Sequence, residues 1–523
     1  MDPSSLKEHL LQLSVPKNHV SLGLTNLISQ SKSLCTLLKH KKLPNSPLSD
    51  LHIQSIILTL SSLDTNRETP CIMNGHNSSD QRWIGVGERE GRIYSTLVSQ
   101  RSFGFGHGMG RSGDIMEPQP KAVGSSVMVQ LTKLMVLDVM RRGAGLRGDA
   151  TKKEDGPVKH GIVLPLCTGM SIALVLSSLR EPTDDSKNVV LWSRIDQKTC
   201  FKAVISAGFN CVVVPTRLDG DQVVTDVMAM KAALEQYKNR VIAIITTTSC
   251  FAPRVPDQVD IIAKLCQEEK VHHVINNAYG LQCHKTVKLI NRACAIGRVD
   301  AMICSTDKNF LVPVGGAIVT SPHASIIQNV SKIYAGRASS APILDLFITL
   351  LSMGLSGYLR LLEERKSLVS DFGQKFQEIA EKYGERLLIC TDNTISFGIT
   401  LDSLSKPLEE ESCEVSNCSR DTFVSMFGSM LFTRCISGTR AVARNQNKVI
   451  AGQKFVGFGS SHEDFPHSYL TAACAIGLTR PEMDEFFVRL DKCFKDMMTK
   501  RRKELKKVTA TTVSRLSKLE LQS

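Results

Sequence analysis

No two of the sixteen cysteines in this sequence form a C-x-x-C pair; the nearest approach is Cys413 and Cys418. Zinc-ligand and dithiol spacings are thereby missing, and no metal site is expected. Thiols inside apolar runs, such as Cys211 and Cys304, read as small hydrophobes. Met1 to Leu13 lacks the apolar stretch of a secretory signal, and no run is expected to reach the length of a membrane span. A reducing, cytoplasmic setting without a membrane partner is the expectation. There is also no Walker-type G-K-[ST] and no internal repeat.

What is present is ordinary in bulk and unusual in sign. The chain has 523 residues, 42% apolar and 22% charged, enough for a large core and more than one domain. Its formal charge is +13. That excess favours an anionic partner such as nucleic acid, acidic lipid or a phosphorylated substrate, and says nothing about fold.

Residues 1–84 read as a helical, basic N-terminal region, with Lys32, Lys39, Lys41 and Lys42 clustered. A Gly-rich stretch, Gly85 to Gly113, follows, with arginines interleaved. From about residue 160, short β-branched runs alternate with helical segments: Gly161–Pro165, Asn188–Trp192, Cys211–Val214, Val241–Ile245, His273–Ile275, Val299–Ile303 and Ala317–Val319. Asp221–Tyr237 and Val255–Glu268 carry helical periodicity between them. Such alternation predicts a parallel sheet covered on both faces, here a seven-stranded, mainly parallel α/β domain over 85–340. A long helix near Leu344–Tyr383 leads into a smaller α+β domain, 341–488, with strand-like runs Leu387–Cys390, Ser396–Leu401 and Met430–Phe432. A basic helix, 489–523, ends the chain. Gly143–His160 and Glu409–Arg420 read as surface insertions.

Ligands of an open α/β sheet gather beyond the carboxyl ends of its strands. After the first strand comes Cys167-Thr168-Gly169-Met170-Ser171, a helix start whose free N–H groups and dipole suit a phosphate. Plain capping uses the same residues. After His273–Ile275 come Asn276 and Asn277, two amides that burial penalises unless they are paired. After Val299–Ile303 comes Lys308, between a buried strand and an apolar run. It is either salt-bridged to Asp307, or snorkelling to the rim, or an amine available for covalent chemistry with a carbonyl. Jointly these three sites match the way fold-type I enzymes hold pyridoxal phosphate, with the lysine bonded to the cofactor. Gly108 to Gly113 satisfies G-x-G-x-x-G, but neither a strand nor a helix flanks it, so a dinucleotide site is not expected. Its Arg111 and Ser112, with Gln119, form instead a second phosphate cradle.

The segments GVGERE (85–90), GRSGDI (110–115) with QPK (119–121), CFAPRVP (250–256), NNAYG (276–280), DKNF (307–310) with VPVGG (312–316), and GRA (336–338) resemble the O-phosphoseryl-tRNA(Sec) selenium transferase family. The resemblance runs from about residue 85 to 500. It implies a cytoplasmic homotetramer with pyridoxal phosphate on Lys308, held by Thr168, Gly169, Asn276 and Arg89. Arg111, Ser112, Gln119 and Arg337 would bind the substrate's phosphoryl group, and Arg440, in SGTR (437–440), the acceptor end of the tRNA. Lys500 and Lys503 of the basic tail extend the tRNA footprint. Where the family carries an arginine this chain has Ala295, and Arg292 is the expected substitute.

The implied reaction turns O-phosphoseryl-tRNA(Sec) into selenocysteinyl-tRNA(Sec). Lys308 takes the α-proton, phosphate leaves Cβ, and selenophosphate delivers selenium to the dehydroalanyl-tRNA. Asn276 stands where related enzymes carry a carboxylate against the pyridine nitrogen, so a weaker electron sink is expected, tolerated because phosphate leaves readily. Two alternatives stay open: a fold-type I lyase acting on a free amino acid, and a tRNA-binding protein without catalysis.

Overall fold

The computed structural model describes residues 3–66, 83–147, 156–180, 186–405, 421–444 and 446–520. The segment 409–420 and the middle of 143–160, both expected insertions, lie outside the described residues, as do the side chains of Lys506 and Lys507.

In chain order the first nine strands are β1 (His160–Leu164), β2 (Val189–Ser193), β3 (Asn210–Val214), β4 (Thr216–Asp219), β5 (Gln222–Thr225), β6 (Val241–Thr247), β7 (His272–Asn276), β8 (Ala301–Ser305) and β9 (Ala317–Ser321). Seven of them build one sheet in the order β1-β9-β8-β7-β6-β2-β3. All seven expected runs are strands, displaced by a few residues at their ends. The strands β2, β6, β8 and β9 are buried along their whole length, which is why their sequences are apolar without alternation. The pairs β2–β3, β2–β6 and β6–β7 are parallel. By contrast β9 runs antiparallel to both β1 and β8. The link from Ser305 to Ala317 holds a single five-residue helix, too short for the crossover that a parallel neighbour requires.

The chain divides into two compact units, 1–181 with 299–360 and 182–298 with 361–523. In the first, helix Val123–Arg142 packs on helix Asp50–Ser61 and on β1. Gly124 makes the helix contact close: a Cβ there would meet the Leu60 carbonyl oxygen at 1.7 Å. Asp138 of the same helix accepts from the Leu43 amide at 3.0 Å and from Arg142 Nε at 2.8 Å, so its buried carboxylate is paired. Val123–Arg142 and the start of Ala341–Lys382 are long and apolar enough to cross a membrane, which corrects the expectation that no segment reaches that length. Two thirds of the first apolar window and half of the second are buried inside the protein. Helix Ala341–Lys382 breaks at Gly354 (φ 58°), where the amides of Leu355 and Ser356 turn to the carbonyls of Pro44 and Asn45, each at 2.9 Å.

The second unit adds β10 (Ser396–Thr400), β11 (Arg440–Val442), β12 (Lys448–Ile450), β13 (Gln453–Phe455) and β14 (Tyr469–Ala473). β14 lies between β10 and β11, antiparallel to both. Its core is aromatic: Phe372, Phe376, Phe427, Phe487 and Phe494 are buried together, Phe427 and Phe494 with centroids 4.5 Å apart. Met430–Phe432, expected as strand, belongs to helix Asp421–Thr433, whose buried Phe423, Val424, Phe427 and Leu431 follow helical spacing. Asp221–Tyr237 divides into β5 and helix Val227–Tyr237, started by the Asp226 carboxylate that accepts from the Ala229 amide at 2.8 Å. Of Leu387–Cys390 only Leu387 bridges, to Ile399. Helix Val259–Glu268 begins four residues later than its periodicity suggested. The Asp257 carboxylate just before it is fully buried, ion-paired with Arg254 and bonded by Ser193, Thr225 and the Thr247 amide.

Candidate active site

Lys308 sits on the one-turn helix Thr306–Phe310 that leaves β8. The turn is fastened on both sides. The Thr306 hydroxyl donates to the Gly316 carbonyl at 2.9 Å, Asn309 Nδ2 donates to the Ser305 carbonyl at 2.7 Å, and Phe310 stacks on Tyr358 at 5.5 Å. Its flanking residues Thr306, Asn309 and Phe310 are buried, while Lys308 itself is exposed. Asp307 accepts from the Ser305 hydroxyl rather than pairing with Lys308, and no partner for the Lys308 ammonium occurs among the described residues. Of the three readings of this lysine, the ion pair is therefore excluded.

In the same unit, helix Thr168–Ser178 follows β1. Its N-cap Cys167 offers no side-chain bond to the free amides, and Thr168 and Gly169 are buried at its start. One turn in, the Ser171 hydroxyl is buried without a hydrogen-bond partner among the described residues. Unfilled amides beside an orphaned hydroxyl suit a phosphate.

Arg89 and Arg337 line one cavity of about 470 Å³. Neither has an acidic partner among the described residues, and the nearness of Arg89 holds the Arg337 guanidinium below its usual range, after burial. Glu88, Glu90 and Arg92 line the same cavity, with Glu90 paired to Lys121 at 3.0 Å, and the excess of guanidiniums over carboxylates suits an anion. Lys308 and Thr168 do not line this cavity.

The second phosphate loop is joined to the cavity by backbone. The amide of Met109 donates to the Ala338 carbonyl at 2.9 Å, and that of Ala338 returns the bond at 3.3 Å. Gly110 (φ 74°) must be glycine, because a Cβ would stand 2.3 Å from the Ile115 carbonyl oxygen. Arg111 is exposed and paired with Glu117 at 2.9 Å, and Ser112 is exposed beside it. Gln119 reaches back to the Gly110 carbonyl at 3.5 Å. Arg111 and Gln119 are not among the residues that line the cavity. His107, which does line the cavity, is a residue that nothing in the sequence singles out, since a lone histidine in a Gly-rich stretch has no spacing partner.

In the second unit Asn276 ends β7, 3% exposed. Its Nδ2 donates to Cys200 Sγ at 3.1 Å, whereas Oδ1 has no partner among the described residues. The orphaned atom is an acceptor, which fits a protonated ring nitrogen. Burial pushes the Cys200 thiol up to about 11, so it accepts this bond as a neutral group. Neighbouring Asn277 is occupied by the Thr248 hydroxyl at 2.8 Å. Arg440, on β11, lies over the Phe251 ring at 4.8 Å and is half-buried. Arg292, the expected substitute beside Ala295, is paired with Asp260 at 3.1 Å. Lys500 and Lys503 are exposed on helix Arg480–Glu520, while Arg501 between them turns inward to the Ser403 carbonyl.

Comparison with known proteins agrees over nearly the whole chain. The family model described as O-phosphoseryl-tRNA(Sec) selenium transferase, SepSecS, matches residues 73–495. A Dictyostelium discoideum protein of that name is 46% identical over 468 residues, 89% of this chain and 94% of the relative. One from Caenorhabditis elegans is 37% identical over 484 residues, covering 92% and 93%. The crystal structure of an archaeal O-phosphoseryl-tRNA(Sec) selenium transferase superposes with a TM-score of 0.76 at 29% identity, over 91% of this chain and 98% of that one. Tryptophan decarboxylase from Catharanthus roseus, at 11% identity and a TM-score of 0.51, shares the fold-type I architecture alone, over 85% of this chain and 96% of its own. With two thirds and more of its length matched at these identities, the chain belongs to the O-phosphoseryl-tRNA(Sec) selenium transferase family.

Proposed function

We propose that this chain converts O-phosphoseryl-tRNA(Sec) to selenocysteinyl-tRNA(Sec) with selenophosphate, using pyridoxal phosphate carried on Lys308. The observation that carries the reading, in a member of this family, is the pair of unpaired guanidiniums, Arg89 and Arg337, in one cavity. The residues also fit the cofactor. The helix start at Thr168 and Gly169, with the orphaned Ser171 hydroxyl, would hold its phosphate, and Asn276 Oδ1 would accept from its ring nitrogen. When bound, pyridoxal phosphate supplies an electron sink for the pair left at Cα.

The rest of the chemistry belongs to the chain. Lys308 Nζ, unpaired and at a strand end, takes the Cα proton once it is released. Arg337, with Arg111, Ser112 and Gln119 of the adjoining loop, grips the phosphoryl group. Arginine suits that task because its fork matches phosphate oxygens and keeps its charge. Arg89 reaches the cofactor's phosphate. Since Lys308 does not line the cavity of its own chain, the proposal includes a second copy: in a homotetramer the cavity of one copy meets Lys308 of another. Arg440, Lys500 and Lys503 hold the tRNA, and a charge of +13 suits such a polyanion. In this division of labour 1–84 is a basic helical region, 85–340 carries the cofactor, 341–488 is the smaller domain and 489–523 the basic tail. A cytoplasmic setting goes with this substrate.

The test is the absorbance of purified protein loaded with pyridoxal phosphate, wild type against Lys308→Ala, before and after addition of phosphoseryl-tRNA. A cofactor band that needs Lys308 and shifts with the tRNA substrate is expected. A shift with free phosphoserine alone would make the protein an amino-acid lyase. Absence of any band would leave a tRNA-binding protein without catalysis.

A further inference from the structure

His107 lines the cavity of Arg89 and Arg337 and is 5% exposed. Neither of its ring nitrogens has a hydrogen-bond partner among the described residues. Buried imidazole nitrogens are normally satisfied, so two orphans on a residue that lines a cavity of three arginines and two glutamates point to a ligand that satisfies them. The ring is also held in place. Arg337 donates to the His107 carbonyl, and Gly91 packs so close that a Cβ there would stand 3.0 Å from Cε1 and 3.1 Å from Nε2.

We propose that His107 is a phosphoryl-binding residue of this cavity, one that bonds the substrate's phosphate beside Arg337 and gives it a proton as it leaves. The proposal rests on the reading of the chain as an enzyme that eliminates phosphate. In that step Lys308 Nζ takes the proton from Cα, and the Cα–H electron pair becomes the Cα=Cβ bond. The Cβ–O bond breaks with its pair staying on oxygen. A phosphomonoester dianion departing unaided would leave as the strongly basic trianion. The imidazolium N–H of His107 transfers its proton to a phosphate oxygen, so hydrogenphosphate departs, the ring ends neutral, and solvent returns the proton.

The surrounding charges make this proton conditional on the ligand. In the ligand-free cavity, burial holds the imidazole below its ordinary range; Asp64 opposes this, Lys121 and Arg337 add to it, and Glu90 opposes. Glu88, Arg89 and Arg92 line the same space. An entering dianion neutralises the guanidiniums and pairs with an imidazolium, so binding draws in a proton.

Sulfate tests this cleanly, being a dianion that does not itself titrate near neutrality. Its dissociation constant is measured on the cofactor-loaded protein between about pH 8 and 6, the range over which histidine changes charge. Wild type is expected to bind up to about tenfold tighter at the acid end for each unit by which the ligand raises the imidazole. In His107→Gln and His107→Asn, which keep a hydrogen-bonding amide but cannot titrate, the pH dependence is expected to vanish. A slope that survives in both variants, or is absent from wild type, overturns the proposal. Should both variants fail to fold, calorimetry of wild type in two buffers of different ionisation heat counts the protons taken up with sulfate, and a count near zero overturns it. Turnover of phosphoseryl-tRNA is followed in parallel. Proton uptake without turnover refutes the elimination reading and its proton step, whereas turnover with pH-independent sulfate binding refutes His107 alone.

Discussion

Lys308 and the Arg89–Arg337 cavity belong to the same compact unit and are built on opposite principles. Lys308 rides on a single helical turn clamped between a fully buried strand and the Phe310–Tyr358 stack. The cavity is assembled from irregular backbone, with glycines at Gly91, Gly108 and Gly110 in the left-handed region and one two-way amide bridge between Met109 and Ala338. The first arrangement fixes the backbone that carries Lys308 by packing. The second presents several donors whose spacing depends on loop conformation. A covalent anchor benefits from the former, and a group that must be gripped and then released benefits from the latter.

The largest separation of the two is expected from Lys308→Ala. Turnover falls by at least the 10²–10⁴-fold typical of losing a proton-transfer group, and more if the cofactor is lost with it. Sulfate binding in the cavity stays at the wild-type level. Because the side chain is exposed and unpaired, unfolding shifts by no more than about 0.5 kcal/mol. A matching loss of sulfate affinity would mean that the Lys308 ammonium itself helps to hold the anion.

Arg337→Lys probes the other side. It keeps the charge and removes the fork, along with the Nη2 bond to the His107 carbonyl. A charged hydrogen bond contributes about 1.5–3 kcal/mol, so anion affinity is expected to fall roughly tenfold to a hundredfold while the cofactor band is unchanged. Titration calorimetry and absorbance on one sample decide it. Equal affinity would reduce Arg337 to a structural brace.

Gly110→Ala strains the loop without touching a charge. With φ at 74° and a Cβ 2.3 Å from the Ile115 carbonyl oxygen, the substituted backbone must move. A residue forced into such a conformation costs on the order of 1–3 kcal/mol. Anion affinity is expected to fall several-fold, less than for Arg337→Lys, and the Lys308 turn to be unaffected. An unaltered affinity would show the loop to be tolerant and the comparison with Lys308 overdrawn.

This contrast also explains what could be read from the sequence. The seven strands, and with them the positions of Thr168, Asn276 and Lys308 at or just beyond strand ends, were legible because burial leaves an unbroken apolar signal. The antiparallel β9 was not, since strand direction depends on the length of the link after Ser305 rather than on strand composition. Met430–Phe432 misled because three apolar residues in a row fit a strand as well as a helix buried on one side. The length of the two apolar helices was not legible because Lys133 and Asp138 interrupt the first and Asp345 the second. His107 carries no local signal at all. Its meaning comes from the cavity that tertiary contacts close around it, and residues on irregular backbone acquire partners only in the fold.

The smallest effect is expected at the far end of the second unit, where neither principle holds. Lys500 and Lys503 are exposed on a helix flank, three residues apart and on one face, with Arg501 between them turned inward. Exposed side chains of this kind contribute to tRNA binding electrostatically, through displaced counterions. Each phosphate contact contributes about 0.7–0.9 to the slope of log affinity against log salt. Replacing both lysines by serine is therefore expected to flatten that slope by about 1.4–1.8, weakening binding at low salt and hardly at all at high salt. Filter binding of the tRNA across a salt series measures it. Affinity lost equally at every salt concentration would point to a specific contact, and would move these lysines from the diffuse footprint into the same class as the arginine cavity.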